Sequence, residues 1–180
     1  MRLLVLRRVI GIVFLVIAGP ANAQVRPATP CQRAEASLFL PLAGRWSVEW
    51  TDRVAPGQYA RARASARIEA DLLGCAVVEH FDGARQGRPF MSVSIISFGN
   101  NDTLQRSLID SSHGQFLLFE GSRKGKVVRF EWVRALPSRT MMLRHEYRAL
   151  QRNSFETETQ LSTDGGRRWD LVQRAKYRRD

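Results

Sequence analysis

From Ala60 the chain alternates in polarity almost without a break. Ala60, Ala62, Ala64, Ala66, Ile68, Ala70 and Leu72 fall on one face, and Arg61, Arg63, Ser65, Arg67, Glu69 and Asp71 on the other. A repeat of two marks a β-strand with one dry and one wet face, although alanine and arginine each favour helices. A helix would scatter these arginines around its circumference and leave no apolar stripe. The dry face is built mostly of methyl groups, so it fills little volume. Either Trp46, Trp50 and Trp132 reach across to that wall and make the interior solid, or a cavity beside Ala62, Ala64 and Ala66 is left for a ligand.

The same period recurs along the chain. Trp46, Val48 and Trp50 oppose Arg45, Ser47 and Glu49, and Val128, Phe130 and Trp132 oppose Arg129 and Glu131. Met141, Leu143, His145 and Tyr147 oppose Met142, Arg144, Glu146 and Arg148. Phe155, Thr157, Thr159 and Leu161 oppose Ser154, Glu156, Glu158 and Gln160. Trp169, Leu171, Gln173, Ala175 and Tyr177 oppose Asp170, Val172, Arg174, Lys176 and Arg178. Turn signals at Ala55-Pro56-Gly57, Gly74, Gly99 to Asp102, Ser111 to Gly114, Gly121 to Gly125, Pro137-Ser138, Gln151 to Asn153 and Asp164-Gly165-Gly166 separate these runs. About ten short strands at hairpin spacing predict an all-β fold, an antiparallel meander closed as a barrel or stacked as a sandwich. No long helical segment separates any two strands, which argues against parallel βαβ units. Residues 44–180 are expected to form this one domain, preceded at 24–43 by a linker and a short helix that Pro41 ends or bends.

The charged sets are expected to face water, because burying an unpaired charge costs several kcal/mol. The inward set is then only partly oily, since it holds His145, Tyr147, Thr157, Thr159 and Gln173 among large apolar groups. Two readings are open. One is a packed core whose polar groups bond each other or the backbone. The other is a pocket in which these five residues orient a guest, with Phe130 and Trp132 contacting it. His145 is likewise either a satisfied core histidine, a haem ligand or a proton-sensitive contact for an acidic guest.

Composition adds compartment and partners. Met1 to Arg8 is basic, Val9 to Gly19 is an apolar run too short to span a bilayer comfortably, and Ala21-Asn22-Ala23 has the form of a signal peptidase site. Residues 1–23 are therefore expected to be a signal peptide, and the mature chain to be periplasmic or secreted. There Cys31 and Cys75 permit one disulfide, tying the N-terminal segment to the end of the alternating strand, or remain two separate thiols. The formal charge is +11 over 180 residues, and loss of the leader removes Arg2, Arg7 and Arg8 from it. That balance favours anionic partners such as a membrane surface or an acidic ligand. No Lys/Arg cluster with interleaved aromatics marks a nucleic-acid groove.

Catalytic chemistry finds little support. Asp110-Ser111-Ser112-His113-Gly114 has the residue types of a hydrolase, but adjacent triad members in one turn do not form the Ser–His–Asp line, and a polar turn is expected. Glu79, His80 and Asp82 on one strand offer a metal two ligands at best, and no cysteine spacing suits zinc. A glycosidase pair needs two inward acids, of which Glu79 is the only candidate. No catalytic residue and no metal site are therefore assigned.

Three resemblances bear on these residues. Ser162-Thr163-Asp164-Gly165-Gly166-Arg167-Arg168-Trp169 is similar to the Asp-box hairpin of sialidases and other propellers. There the Asp caps backbone donors, a Gly allows positive φ, and the Trp packs beneath. A propeller needs several copies and this chain has one, so Asp164, Gly166 and a buried Trp169 are expected to be structural. Gly44-Arg45-Trp46 resembles the Gly-x-Trp entry of lipocalins and other calycin barrels. That resemblance implies that Gly44 and Trp46 close one end of the barrel, with a late arginine, Arg174 or Arg178, over the Trp. Together with Leu72-Leu73-Gly74 and the Tyr177-Arg178-Arg179 ending, the mature chain resembles a group of secreted bacterial lipocalin-like barrels of unknown function. The chain lacks the later Thr-Asp-Tyr motif and C-terminal helix of true lipocalins, and a ten-strand count suits the wider calycin group. Nitrobindin-like barrels in that group bind haem through a late-strand histidine, for which His145 is the nearest match. Their Gly-x-Trp-x-Gly-x-Gly opening is absent here, since Val48 and Trp50 stand at the glycine positions. The leading expectation is a non-enzymatic exported barrel binding a small, largely apolar or amphipathic ligand. The alternatives are a filled barrel acting through its basic outer surface, or haem held by His145.

Overall fold

Three short helical turns and ten strands make up the described residues of a computed structural model, which are 34–98, 103–112 and 114–180. The expected leader, the linker from Gln24, Cys31, the Gly99 to Asp102 turn and His113 lie outside the described residues. Helix α1 (Ala36–Phe39) runs into a 3-10 turn at Leu40–Leu42, with Pro41 in that turn's first positions. The strands are β1 (Gly44–Ala55), β2 (Gln58–Asp71), β3 (Ala76–Arg85), β4 (Arg88–Phe98) and β5 (Leu104–Asp110), then β6 (Leu117–Lys124), β7 (Val127–Leu136), β8 (Arg139–Gln151), β9 (Ser154–Ser162) and β10 (Asp170–Arg179). Each pairs antiparallel with its neighbours in sequence, and β1 pairs with β10, so the sheet closes as a barrel. Closure leaves no unpaired edge.

Register explains how the alanine wall of β2 is filled. Trp46, Val48 and Trp50 stand directly across from Ala66, Ala64 and Ala62. Large side chains lean over small ones, and Trp50 continues into Phe81 and Phe90, with ring centroids 5.1 and 5.2 Å away. The volume beside the alanines is thus occupied, the first of the two readings open for that wall, with Trp46 and Trp50 rather than Trp132 filling it. The alternation itself also ends early: Ile68 is buried, but Ala70 is exposed and Leu72 is 65% exposed. β2 gives way there to the 3-10 turn at Leu72–Gly74, with Leu72 and Leu73 both at positive φ.

One end, the base, is plugged. Phe39 of α1 packs against Phe98, Phe130 and Tyr147 at 6.1, 6.4 and 5.2 Å between ring centroids. Trp46 meets Phe155 edge-on at 4.9 Å, and Phe155 stacks on Tyr177 at 4.1 Å. The Trp46 indole N–H donates to the Leu42 carbonyl at 2.9 Å. The arginine over Trp46 is Arg179, with its Cζ 4.5 Å from the ring centroid, and not Arg174 or Arg178. Those two lie an even number of residues from each other on the exposed outer face, whereas Arg179 shares the inward phase of Tyr177. Arg179 also donates to the carbonyls of Ala43, Pro41 and Arg152 at 2.8, 2.7 and 2.8 Å. It therefore ties the helical entry, the last strand and the β8–β9 turn together. Gly44, at φ +149°, is where this clamp passes closest, and a Cβ there would overlap Arg179 Nη1.

Two further expectations are corrected by the outer face. Glu146 and Glu158 point outward yet are only 3% and 6% exposed. Arginines lie over them: on Glu146, Arg129 of β7 and Arg148 of its own strand, and on Glu158, Arg148 of β8 and Arg174 of β10. Burial raises the Glu146 carboxyl pKa, but the hydrogen bonds and charges of Arg148 and Arg129 outweigh it and hold the group below its ordinary value. The Ser162 to Trp169 hairpin has the capped turn expected of its motif. Asp164 Oδ1 accepts from the backbone N–H groups of Arg167 and Arg168, each at 3.0 Å, and Gly166 has φ +90°. Its Trp169, however, is half-buried rather than buried. It lies under Arg144 of the outer face, 3.8 Å from ring centroid to Cζ, and its indole N–H bonds to the Gly166 carbonyl.

Candidate ligand cavity

Above the plugged base, the half of the barrel toward the β1–β2, β3–β4 and β7–β8 turns holds a cavity of ≈ 270 Å³. Its walls come from β3, β4, β5, β6, β8, β9 and β10, with Asp52 from the end of β1. None of the β2 alanines lines it. The apolar part is Phe81, Phe90, Phe119, Leu108, Leu117, Leu143 and Val172. Val172 was expected to face outward. A register shift between Leu171 and Gln173 turns both Val172 and Gln173 into the cavity, and Leu171 pairs with outward-facing Gln160 instead.

Of the residues proposed from the sequence, His145, Thr157, Thr159 and Gln173 line this space together. Tyr147 and Phe130 are buried one layer below, packed on Phe39. Trp132, half-buried and paired across β8 with Leu143, is not among the lining residues.

Five charged residues also line it: Asp52, Glu79, Arg85, Arg106 and Asp110. More than one inward acid is thus present, where only Glu79 had been expected. All five occupy apolar-phase positions. Arg106 alternates with Leu104 and Leu108, Asp52 continues Trp46, Val48 and Trp50, and Glu79 and Arg85 share the face of Val77 and Phe81. A charge breaking into the dry phase of a strand near its open end was the signal available for them. On β5 it is legible in Arg106, between Leu104 and Leu108.

The acids are engaged. Glu79 Oε1 accepts from the Tyr177 hydroxyl at 2.8 Å and Oε2 from Ser94 Oγ at 3.2 Å. Burial, and then the Glu79 charge, push the Tyr177 hydroxyl pKa well up, so it stays protonated and able to donate. Asp52 Oδ2 lies 3.1 Å from Arg85 Nε, an ion pair misaligned as a hydrogen bond. Burial raises the Asp52 carboxyl more than Arg85 lowers it. Arg85 is sandwiched against Phe90 and Trp50, 4.4 and 5.6 Å from the ring centroids. Asp110 Oδ1 caps the Ser112 N–H at 2.8 Å, and Ser111 Oγ accepts from Met91 N at 3.0 Å, so this segment is a polar turn.

The donors are not all engaged. His145 Nδ1 is 2.8 Å from Thr159 Oγ1, but Nε2 has no partner among the described residues, and neither has Arg106 Nε. Both residues are deeply buried, 8% and 5% exposed. Burial, and then the Arg106 charge, push the His145 imidazole well below its ordinary pKa, so the ring is neutral. Arg106 itself lies 5.6 Å from the Phe119 ring centroid. Among the described residues there is no group of three His, Cys, Asp or Glu suited to a metal ion.

No protein-family model matches the chain, and no curated protein matches it. A solved structure does: that of Rv2717c from M. tuberculosis, at 13% identity and a TM-score of 0.58, covering 82% of this chain and 98% of the other. At that identity the likeness concerns the fold, a closed antiparallel ten-stranded barrel.

Proposed function

We propose that the protein is a calycin-type barrel that binds a small, largely apolar or amphipathic molecule in its interior and does not transform it. The observation carrying this reading is the cavity of ≈ 270 Å³, aromatic and aliphatic on most sides with a few polar groups on one. Ligand sites have this composition, at volumes from roughly 300 to 1,000 Å³, so a compact guest is favoured. Binding would come from burial of the guest's apolar surface, worth roughly 25 cal/mol per Å² before the entropic cost of immobilising it. Export to the periplasm or beyond belongs to the same proposal, on the strength of the leader-like residues 1–23. So does a Cys31–Cys75 disulfide, of which Cys31 lies outside the described residues.

Haem held through His145 is the weaker reading. A buried neutral imidazole with Nδ1 anchored and Nε2 unpartnered suits a metal. The cavity is small for a porphyrin, however, and the Arg106 cation acts on the same ring. These residues do not fit the group well, and no chemistry is derived through it.

Native mass spectrometry of protein purified from its own host tests both readings. A mass increment from a small organic molecule is expected. A Soret band lost in His145→Ala would favour haem, and an empty barrel that takes up no guest would overturn the interior-ligand reading.

A further inference from the structure

Within that ligand-binding reading, we propose that the guest is an anion, a small carboxylic acid whose carboxylate is received by Arg106 and His145. Hydrogen-bond accounting carries the proposal. Buried polar groups are nearly always paired, so a group left over marks what is missing. Among the described residues the buried side-chain atoms without an aligned hydrogen bond are Arg85 Nε, which has the Asp52 carboxylate beside it, and Arg106 Nε and His145 Nε2, which have no partner; all three residues line this one cavity. Every one is a nitrogen, and no buried carboxylate or hydroxyl oxygen stands among them. Arg106 Nε can only donate, and His145 Nε2 donates when Nδ1 accepts from Thr159, so a guest bearing acceptors satisfies both.

Charge narrows the class. Arginine cannot shed its proton, so Arg106 is a permanent cation at 5% exposure. Removing such a charge from water is costly unless an opposite charge meets it. Among the described residues no carboxylate forms an ion pair with Arg106. Asp52 faces Arg85, Glu79 accepts from Tyr177 and Ser94, and Asp110 caps its own turn. In the tautomer in which Thr159 O–H donates to Nδ1, the His145 ring proton sits on Nε2 and is a second donor into the cavity that Arg106 lines. A planar carboxylate accepts from both at once and matches the flat guanidinium edge. The body of the acid would then lie among Phe81, Phe90, Phe119 and Leu143, which favours an aromatic ring or a short branched chain over a long tail.

Matched pairs test this: benzoate with benzamide, cinnamate with cinnamamide, and octanoate with octanamide, each titrated calorimetrically into the purified protein. Acid and amide share a body and a carbonyl acceptor, so their affinity ratio isolates the charge. At least one acid should bind about tenfold or more tightly than its amide. The ratio should fall toward one in Arg106→Met and stay partly preserved in Arg106→Lys. If the methionine variant fails to fold, the wild-type ratios and the lysine variant still decide. Equal binding of acids and amides would overturn the anion site while leaving the interior-ligand reading standing. A neutral guest in host-purified protein would have the same meaning. Failure of all six probes, together with a host-purified protein free of guest, would overturn both.

Discussion

The two halves of the barrel are made of the same strands and solve opposite problems. At the base, large apolar or aromatic groups come from most strands, with Gly121 of β6 leaving room for Leu104 and Phe130, and the polar atoms that enter are matched. The Trp46 N–H finds Leu42, and Arg179 donates to three carbonyls while lying on the Trp46 ring. Toward the mouth, the same strands place Asp52, Glu79, Arg85, Arg106 and His145 in inward positions, and donors are left without partners. Tyr177 and Glu79 mark the boundary: the ring of Tyr177 stacks in the base and its hydroxyl bonds upward to the carboxylate. Polar groups that weaken a core persist where something other than stability selects them. The base reads as the part that holds the fold, and the mouth as the part that does work at some cost to it.

The largest test of that division is Trp46→Ala. Removing a fully buried indole from the base should cost about 3–5 kcal/mol, whereas Gln173→Ala at the mouth should cost less than about 1 kcal/mol. Urea denaturation of the two variants checks this. Similar losses would mean that the barrel is uniformly consolidated and that the division into base and mouth is not energetic.

A second test should move stability the other way. Arg106 is a buried cation with an unpaired Nε, and replacing buried ionic groups by apolar ones of similar volume is often stabilising. Arg106→Met should therefore raise stability by about 1 kcal/mol or more in the ligand-free protein, read as a higher urea midpoint. A clear loss would show that Arg106 is bound into the structure of the mouth, beyond the reach of a guest.

How much of this was legible follows the same boundary. Strand period and turn residues announced about ten strands in a meander and the short helix, because hairpin pairing depends on local patterns; closure pairs β1 with β10, and the barrel rather than a sandwich followed from the calycin resemblance. The base was partly legible through Trp46 and the Gly44 that lets Arg179 approach. The clamp itself was placed on Arg174 or Arg178, since several arginines crowd the last strand and only strand phase separates them. The mouth was read less well. His145, Thr157, Thr159 and Gln173 are on its wall, but Val172 depends on a register shift that alternation cannot foresee. Arg106 and Asp52 were passed over because charges on a strand were assigned to solvent by type, when their phase put them inside. The alanine wall left two readings open for a related reason. Small side chains mark either room or a neighbour that needs room, and only the register of Trp46, Val48 and Trp50 against them decides.

The smallest expected effect concerns pH, and it separates the two kinds of acid in the barrel. Asp52 at the mouth has its pKa raised above the ordinary 3.8, chiefly by burial and despite Arg85. The unfolded chain therefore releases this proton first, and the folded state binds more of it between 3.8 and the raised value. The contribution of Asp52 to stability is fully present below 3.8 and declines as pH rises through that window. Glu146 has the opposite sign. Its pKa is held below the ordinary 4.5, so its contribution is present above 4.5 and fades as pH falls through the lowered value. Relative to wild type, Asp52→Asn should gain stability as pH is raised from about 4 toward neutral, and Glu146→Gln should lose it over acid pH. Comparing the slopes isolates titration from whatever each substitution does to packing. Parallel slopes for wild type and Asp52→Asn would show that the Asp52–Arg85 pair is as well solvated as the surface, and that the mouth carries no buried charge at its rim.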